Sequence, residues 1–351
     1  MNNTYNKLYR RQSIGKRGVN LLFKICVIGC GYIAMDFHGP GIKQYIDNSP
    51  KAISWACCDI DINKAREFAN KFNIEAYYGD YREMLQKEQP DAVCIITTYN
   101  VIPAIAVDIM NMGIPVIMEK PPGTTRDEVM SIIKAAGESK MPNQVAFNRR
   151  FAPVVSELKK MLTNLPAGVD IHNIRCVFQR VGRKDEDFST TAIHGIDAVR
   201  YLAGSDYKHV RFRYQEMPHV NKGAANIYLD CLMESGATAQ LSFSPLSGKV
   251  VEEYHVTCND NDFTLKMPVW GSPEYPGGLW HYAKNDCVRF IDGEDPSFGA
   301  EMYEKFGFYA ENAIFFDAVQ AGEMLENDIR TALQSVEIAA CIHNRKAEYT
   351  A

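Results

Sequence analysis

The chain has 351 residues, of which 46% are hydrophobic and 23% charged, and a formal net charge of −5. This length predicts two domains, each able to bury a sizeable core. The acidic balance argues against a nucleic-acid partner and a polybasic membrane anchor, and no apolar run approaches the length of a bilayer span.

Residues 1–22 are basic and polar, with Arg10, Arg11, Lys16 and Arg17. They read as an N-terminal arm, unstructured or embracing a neighbouring subunit, and the apolar stretch at 19–23 is too short for a signal sequence. Residues 23–34, FKICVIGCGYIA, alternate apolar side chains and then turn sharply through Gly29-Cys30-Gly31. Alternation with Ile, Val and Cys predicts a buried strand. The glycines suit a tight turn that lets a phosphate approach the backbone, and the following helix points its free N–H groups at that phosphate. Strand, G-x-G-x-x-A, helix is the dinucleotide-binding pattern, although tight turns elsewhere also use glycine. The helix is expected to be short, because His38-Gly39-Pro40-Gly41 reads as a break. A second helical piece is expected over 42–46.

Residues 52–58 predict a second buried strand, ending at Asp59-Ile60-Asp61. An acidic side chain there can accept from both adenosine ribose hydroxyls and would repel a 2′-phosphate, so NAD is favoured over NADP. The bland reading of Asp59 is an N-cap or turn aspartate before the helix at 63–72. A short strand at 75–78, a helix at 81–86 and a buried strand at 92–97 follow. The last ends in the polar run Thr97-Thr98-Tyr99-Asn100. A helix at 102–112 and a strand at 115–118 lead to Glu119-Lys120-Pro121-Pro122. This rhythm predicts a parallel, doubly wound sheet whose ligands bind outside the C-terminal strand ends. Lys120 leaves a strand at that edge. A partly desolvated lysine suits acid/base work near neutral pH, whereas a solvated surface lysine would do nothing.

In the second half, 151–162 predicts a linking helix and 174–181 a strand. The segment 189–204, STTAIHGIDAVRYLAG, predicts a helix with Gly204 as its stop. Thr190, His194 and Asp197 then share one face. A histidine beside a hydroxyl or an acid can trade a proton at neutral pH, but it can equally be a core residue tied to Asp197. Strands are expected at 210–214, 225–233, 238–243, 252–258 and 263–267, and a Gly/Pro-rich loop at 271–280. Closing helices are expected at 303–321 and 327–343. Trp280, His281 and Tyr282 read as aromatic packing, or else as a sugar-stacking wall. The ten cysteines sit mostly in apolar runs without a C-x-x-C pair, so no metal site is expected and reduced thiols in a cytoplasmic protein explain them.

The ordered motifs KICVIGCGYIA, CCDID, TTYN, EKPPG and VAFNRRFAP resemble those of the glucose–fructose oxidoreductase / inositol dehydrogenase / MocA (Gfo/Idh/MocA) family, over nearly the whole length after residue 22. The resemblance implies an α/β fold: an N-terminal Rossmann domain over 23–148, and a C-terminal α+β domain over 149–351 with a large, mostly antiparallel open sheet. It implies cofactor contacts from Gly29, Gly31, Tyr32, Ile33, Asp59, Thr98, Asn100, Glu119 and Lys120, with Lys120 and His194 as catalytic or orienting groups. Tyr99, Arg150, Thr190 and Asp197 are expected to border the substrate, a polyol or sugar. Assembly as a homodimer or homotetramer through the second sheet is also implied. The activity implied is NAD(P)-dependent hydride transfer with a sugar, cyclitol or nucleotide-sugar. The alternatives are a non-catalytic NAD- and sugar-binding member, or NAD-assisted glycoside cleavage.

Two departures from the family pattern stand out. The usual T-P-N-x-x-H is Thr98-Tyr99-Asn100-Val101-Ile102-Pro103 here. In D-x-G-x-H-x-x-D, Thr190 replaces the first aspartate and Ala192 the glycine, while His194 and Asp197 match. A threonine hydroxyl does not ionise near pH 7, so it is a poor base.

Overall fold

The computed structural model describes residues 22–351; the expected arm lies outside the described residues, apart from Leu22. The chain divides into two compact units. One holds the chain through Ala146 together with Phe308–Leu333, and the other holds Phe147–Gly307 and Gln334–Ala351. Residues 308–333, read from the sequence as part of the second domain, therefore return to the first. The reason is apolar: Phe315 and Phe316 are fully buried and join Phe23, Ile25 and Tyr45 in the first unit's core.

The first unit is built on strands β1 (Phe23–Ile28), β2 (Ile53–Cys58), β3 (Ala76–Tyr78), β4 (Ala92–Ile95), β5 (Val116–Glu119) and β6 (Asn143–Ala146). All neighbours are parallel, in the order β3-β2-β1-β4-β5-β6. β1 and β4 adjoin where the winding reverses, which opens a crevice beyond their C-terminal ends. Both strands are almost wholly buried, as a parallel sheet covered on both faces requires.

The expected break after β1 does not occur. A π-helical segment, Ala34–His38, runs directly into the helix Gly39–Asn48. The Gly39 N–H reaches back five residues to the Ala34 carbonyl. This widened turn absorbs Pro40, which has no N–H to give and would otherwise crowd the preceding turn. Gly39 is required for packing rather than for a break: a Cβ there would lie 2.6 Å from the Phe72 ring.

The second unit carries nine strands. They are β7 (Ile171–Gln179), β8 (Tyr207–Glu216), β9 (Ala225–Met233), β10 (Thr238–Ser244), β11 (Val251–Cys258), β12 (Asn261–Lys266), β13 (Gly278–Ala283), β14 (Asp286–Asp292) and β15 (Glu348–Thr350). Their order is β14-β13-β12-β11-β7-β10-β9-β8-β15, antiparallel except where β7 meets β10. The helix Ser189–Ala203 lies directly on this sheet because Gly195 has no Cβ; one would sit 2.9 Å from Phe243 and 3.1 Å from the Cys176 sulfur. β13 and β14 were not expected. Trp280 lies within β13 and its ring packs on Phe290 of β14, while His281 stacks on Phe263 and bonds Asn261. These aromatics thus pack the sheet edge.

Candidate functional site

In the first unit, β1 ends at Gly29, which adopts φ +97°, a conformation glycine alone enters cheaply. A Cβ there would lie 2.2 Å from the Ile96 carbonyl oxygen, so the turn can press against β4 only as glycine. Gly31 faces open space, with nothing within 4 Å of where a Cβ would be. Asp59 locks the turn: its Oδ2 accepts from the Cys30 N–H at 2.8 Å and its Oδ1 from the Asp61 N–H at 2.9 Å. Each carboxylate oxygen keeps a second lone pair for a ribose hydroxyl. Of the alternative roles read for Asp59, the turn contact is present, whereas the helix cap belongs to Asp61, which accepts from the Asn63 N–H at 3.0 Å. The open glycine cradle and the acid beside it could hold a dinucleotide. Tyr32 is exposed and packs edge-on against Phe37, while Ile33 is half-buried next to it. Beyond β4, Thr98 donates to Asn100 Oδ1 at 2.6 Å, which pins a loop whose Tyr99 is exposed.

β5 delivers Glu119 and Lys120 to the same sheet edge. Glu119 is buried, yet two partners hold it. Its Oε2 accepts the Lys120 backbone N–H at 2.9 Å, and its Oε1 lies 2.9 Å from His38 Nε2. Burial pushes the Glu119 carboxyl up, but the hydrogen bond and charge of His38, the Lys120 charge and the Lys120 N–H together hold it below the usual range. Because an ionised carboxylate only accepts, His38 Nε2 is the donor, while its Nδ1 lies 3.0 Å from Asn312 Nδ2 and 3.4 Å from Asn312 Oδ1. Asn312 is in turn fixed by donating to the Phe308 carbonyl at 2.7 Å. Lys120 itself is half-buried, so its ammonium sits on a firmly supported backbone. His38 and Asn312 were not singled out in the sequence. His38 looked like part of a helix break, and Asn312 is nearly three hundred residues away.

In the second unit, the helix Ser189–Ala203 does bring Thr190, His194 and Asp197 to one face. Their environments differ. Asp197 is buried and clasped by Arg150, with Nε to Oδ2 at 2.7 Å and Nη2 to Oδ1 at 2.5 Å. Ser335 adds a third donor at 3.3 Å. Burial works against the Arg150 charge, but Asp197 more than restores it and holds the guanidinium pKa raised. Arg150 and Asp197, expected at the substrate, thus satisfy each other inside the unit. Thr190 is half-buried and donates to the Asp187 carbonyl at 3.4 Å. His194 is buried, with its Nε2 3.3 Å from Arg149 Nη1. Arg149 forms a fork on Glu252, at 3.2 Å to Oε2 and 2.8 Å to Oε1, and Arg180 Nη2 donates to the same Oε1. Arg149 was legible only as half of an Arg-Arg pair, and nothing local indicates which arginine turns toward His194.

Comparison with known proteins agrees with this architecture. Residues 23–147 match a family model described as an oxidoreductase family with an NAD-binding Rossmann fold. A solved Gfo/Idh/MocA family oxidoreductase from Vibrio cholerae is 21% identical, with a TM-score of 0.75 over 92% of this chain and 97% of that one. The first domain of the chain thus matches the Gfo/Idh/MocA oxidoreductase model. The matched residues hold all six strands of the parallel sheet. Inositol 2-dehydrogenase of Burkholderia cenocepacia (strain HI2424) is 29% identical over 201 residues, covering 55% of this chain and 58% of that protein. An inositol 2-dehydrogenase/D-chiro-inositol 3-dehydrogenase of Shouchella clausii (strain KSM-K16) is 30% identical over 210 residues, covering 56% and 59%. The match thus spans little more than half the length of these relatives. Levoglucosan dehydrogenase, solved with NADH and levoglucosan, shares the fold with a TM-score of 0.80 at 18% identity, over 94% of this chain and 99% of that one. No described helix is long and apolar enough to cross a membrane.

Proposed function

We propose that this protein is an NAD-dependent dehydrogenase that transfers hydride between the cofactor and a secondary alcohol or ketone of a sugar, cyclitol or nucleotide-sugar. The observation that carries the reading is Lys120. It is an amine at the C-terminal end of β5, on the ligand edge of an NAD-binding sheet, held from below by buried Glu119 and His38. Nicotinamide, when bound, supplies the hydride acceptor. Lys120 takes the hydroxyl proton as hydride leaves the carbinol carbon, and returns it in the reverse direction. His194 hydrogen-bonds the substrate. Gly29 and Gly31 admit the pyrophosphate to the backbone, and Asp59 selects the ribose. The relatives named for inositol and levoglucosan support a polyol or sugar substrate.

Purified protein mixed with NAD and a panel of sugars, cyclitols and nucleotide-sugars should give a rise in NADH absorbance with one substrate class. The replacement of the family's aspartate by Thr190 favours a second reading, a binder of NAD and sugar without turnover. That reading gains if NADH fluorescence reports binding while no substrate is turned over in either direction. Product formed without net NADH would point to the hydride-lending cleavage mechanism. For Asp59→Ala we expect weaker NADH binding and a narrower NADH-to-NADPH affinity ratio. An unaltered ratio would reduce Asp59 to a turn-locking residue.

We also propose homo-oligomerisation through the second sheet. Its strands present polar and charged residues around a groove of about 280 Å³ lined in part by Arg175, Arg213, Tyr228 and Asp230. The mass in solution tests this: a monomer would exclude it.

A further inference from the structure

The surroundings of His194 decide which of its nitrogens carries the hydrogen. Arg149 Nη1 lies 3.3 Å from His194 Nε2. A guanidinium has donors only and stays protonated in proteins. A hydrogen on Nε2 would set two donors against each other in a buried place, where such a clash is least screened. Nε2 is therefore the acceptor, and the hydrogen of the neutral ring sits on Nδ1.

Arg149 is held so that this choice is not left to chance. Its Nε and Nη2 fork onto Glu252, at 3.2 Å and 2.8 Å. Asn148 Oδ1 accepts a further bond from Nη1 at 3.0 Å, and Asn148 is itself fixed by donating to the Phe306 carbonyl at 2.9 Å. The Phe306 ring faces the guanidinium at 5.0 Å. Glu252 has no exposed side-chain surface, and its Oε1 also accepts from Arg180, which donates further to the carbonyls of Gln179 and Val251. A planar fork seated this way can hold Glu252 with one edge and reach His194 with Nη1, which a lysine ammonium cannot reproduce.

We propose that Arg149 is a positioning residue that holds His194 in the Nδ1–H tautomer. His194 then acts on the substrate as a hydrogen-bond donor through Nδ1, and proton transfer falls to Lys120 alone. The substrate role rests on the dehydrogenase reading above; the tautomer does not.

The test uses the full-length protein with ¹⁵N-labelled histidine, in the absence of substrate. Long-range ¹H–¹⁵N correlation spectra report the tautomer of each ring, and the His194 signals are identified by their loss in His194→Gln. We expect protonated Nδ1 and bare Nε2. In Arg149→Met we expect the ring to revert toward the Nε2–H form that histidine favours in water. Turnover should then fall by roughly 10²-fold, the scale for losing one preorganised donor, with the KM for NAD unchanged. Arg149→Lys should not restore the tautomer. A wild-type ring with hydrogen on Nε2, or on both nitrogens at neutral pH, would overturn the proposal even if the variants fail to fold. An Nδ1–H ring in a protein without dehydrogenase turnover would uphold the tautomer and remove only the reading of its purpose.

Discussion

Lys120→Met should lower kcat/KM by about 10²-fold or more while leaving NAD affinity nearly intact. Loss of a positioned acid/base group is worth roughly 10²- to 10⁴-fold, and methionine keeps the length of the side chain without the amine. The backbone around it should hold, because Glu119 keeps both the N–H of residue 120 and His38 as partners. Steady-state kinetics on whichever alcohol the substrate panel identifies, together with NADH titration by fluorescence, would check both halves. Unchanged turnover would remove Lys120 from the chemistry. Equal losses in turnover and cofactor affinity would assign it to cofactor binding instead.

Glu252→Ala should cost on the order of 3–5 kcal/mol of stability, the range for breaking a buried ion pair by removing one partner. The substitution leaves Arg149 and Arg180 turned toward each other with no anion between them, both nearly buried. The same carboxylate gives a pH dependence of known sign. Burial pushes the Glu252 carboxyl up, but the charges and hydrogen bonds of Arg149 and Arg180 outweigh it, and the folded-state pKa is depressed. A depressed carboxyl contributes stability that is present in full above its unfolded value, about 4.3. That contribution is lost as pH falls through the lower folded value. Urea melts at pH 7 and at successively lower pH should therefore converge for wild type and variant in acid. Curves that stay parallel down to the acid limit would show that the carboxylate charge is not what stabilises this region.

Much of the fold was legible in local patterning. β1 was readable from its alternating apolar residues, and β2 and β4 from the short apolar runs that parallel strands covered on both faces require. The helix at 189–203 was readable from its periodicity and from Gly204, which takes the left-handed φ of +61° as its stop. The π-helical passage through His38 and Pro40 was not, since the usual rule for Gly-Pro is a break. The exception depends on a widened turn and on Phe72 packing where Gly39 leaves room. β13 and β14 were hidden by the glycines and prolines of the loop before them.

By itself the sequence determined the class of the first domain, the glycine turn with Asp59, and the lysine at the end of the fifth strand. Each is written in contiguous residues whose backbone requirements are local. Only the tertiary structure decided the partners of those residues. His38 reaches Glu119, and Asn312 reaches His38, from distant parts of the first unit's sequence. Of two adjacent arginines, Arg150 turns to Asp197 and Arg149 to Glu252 and His194. Hydrogen-bond partners in a buried cluster are set by which side chains folding brings within about 3 Å, and spacing along the chain carries no record of that.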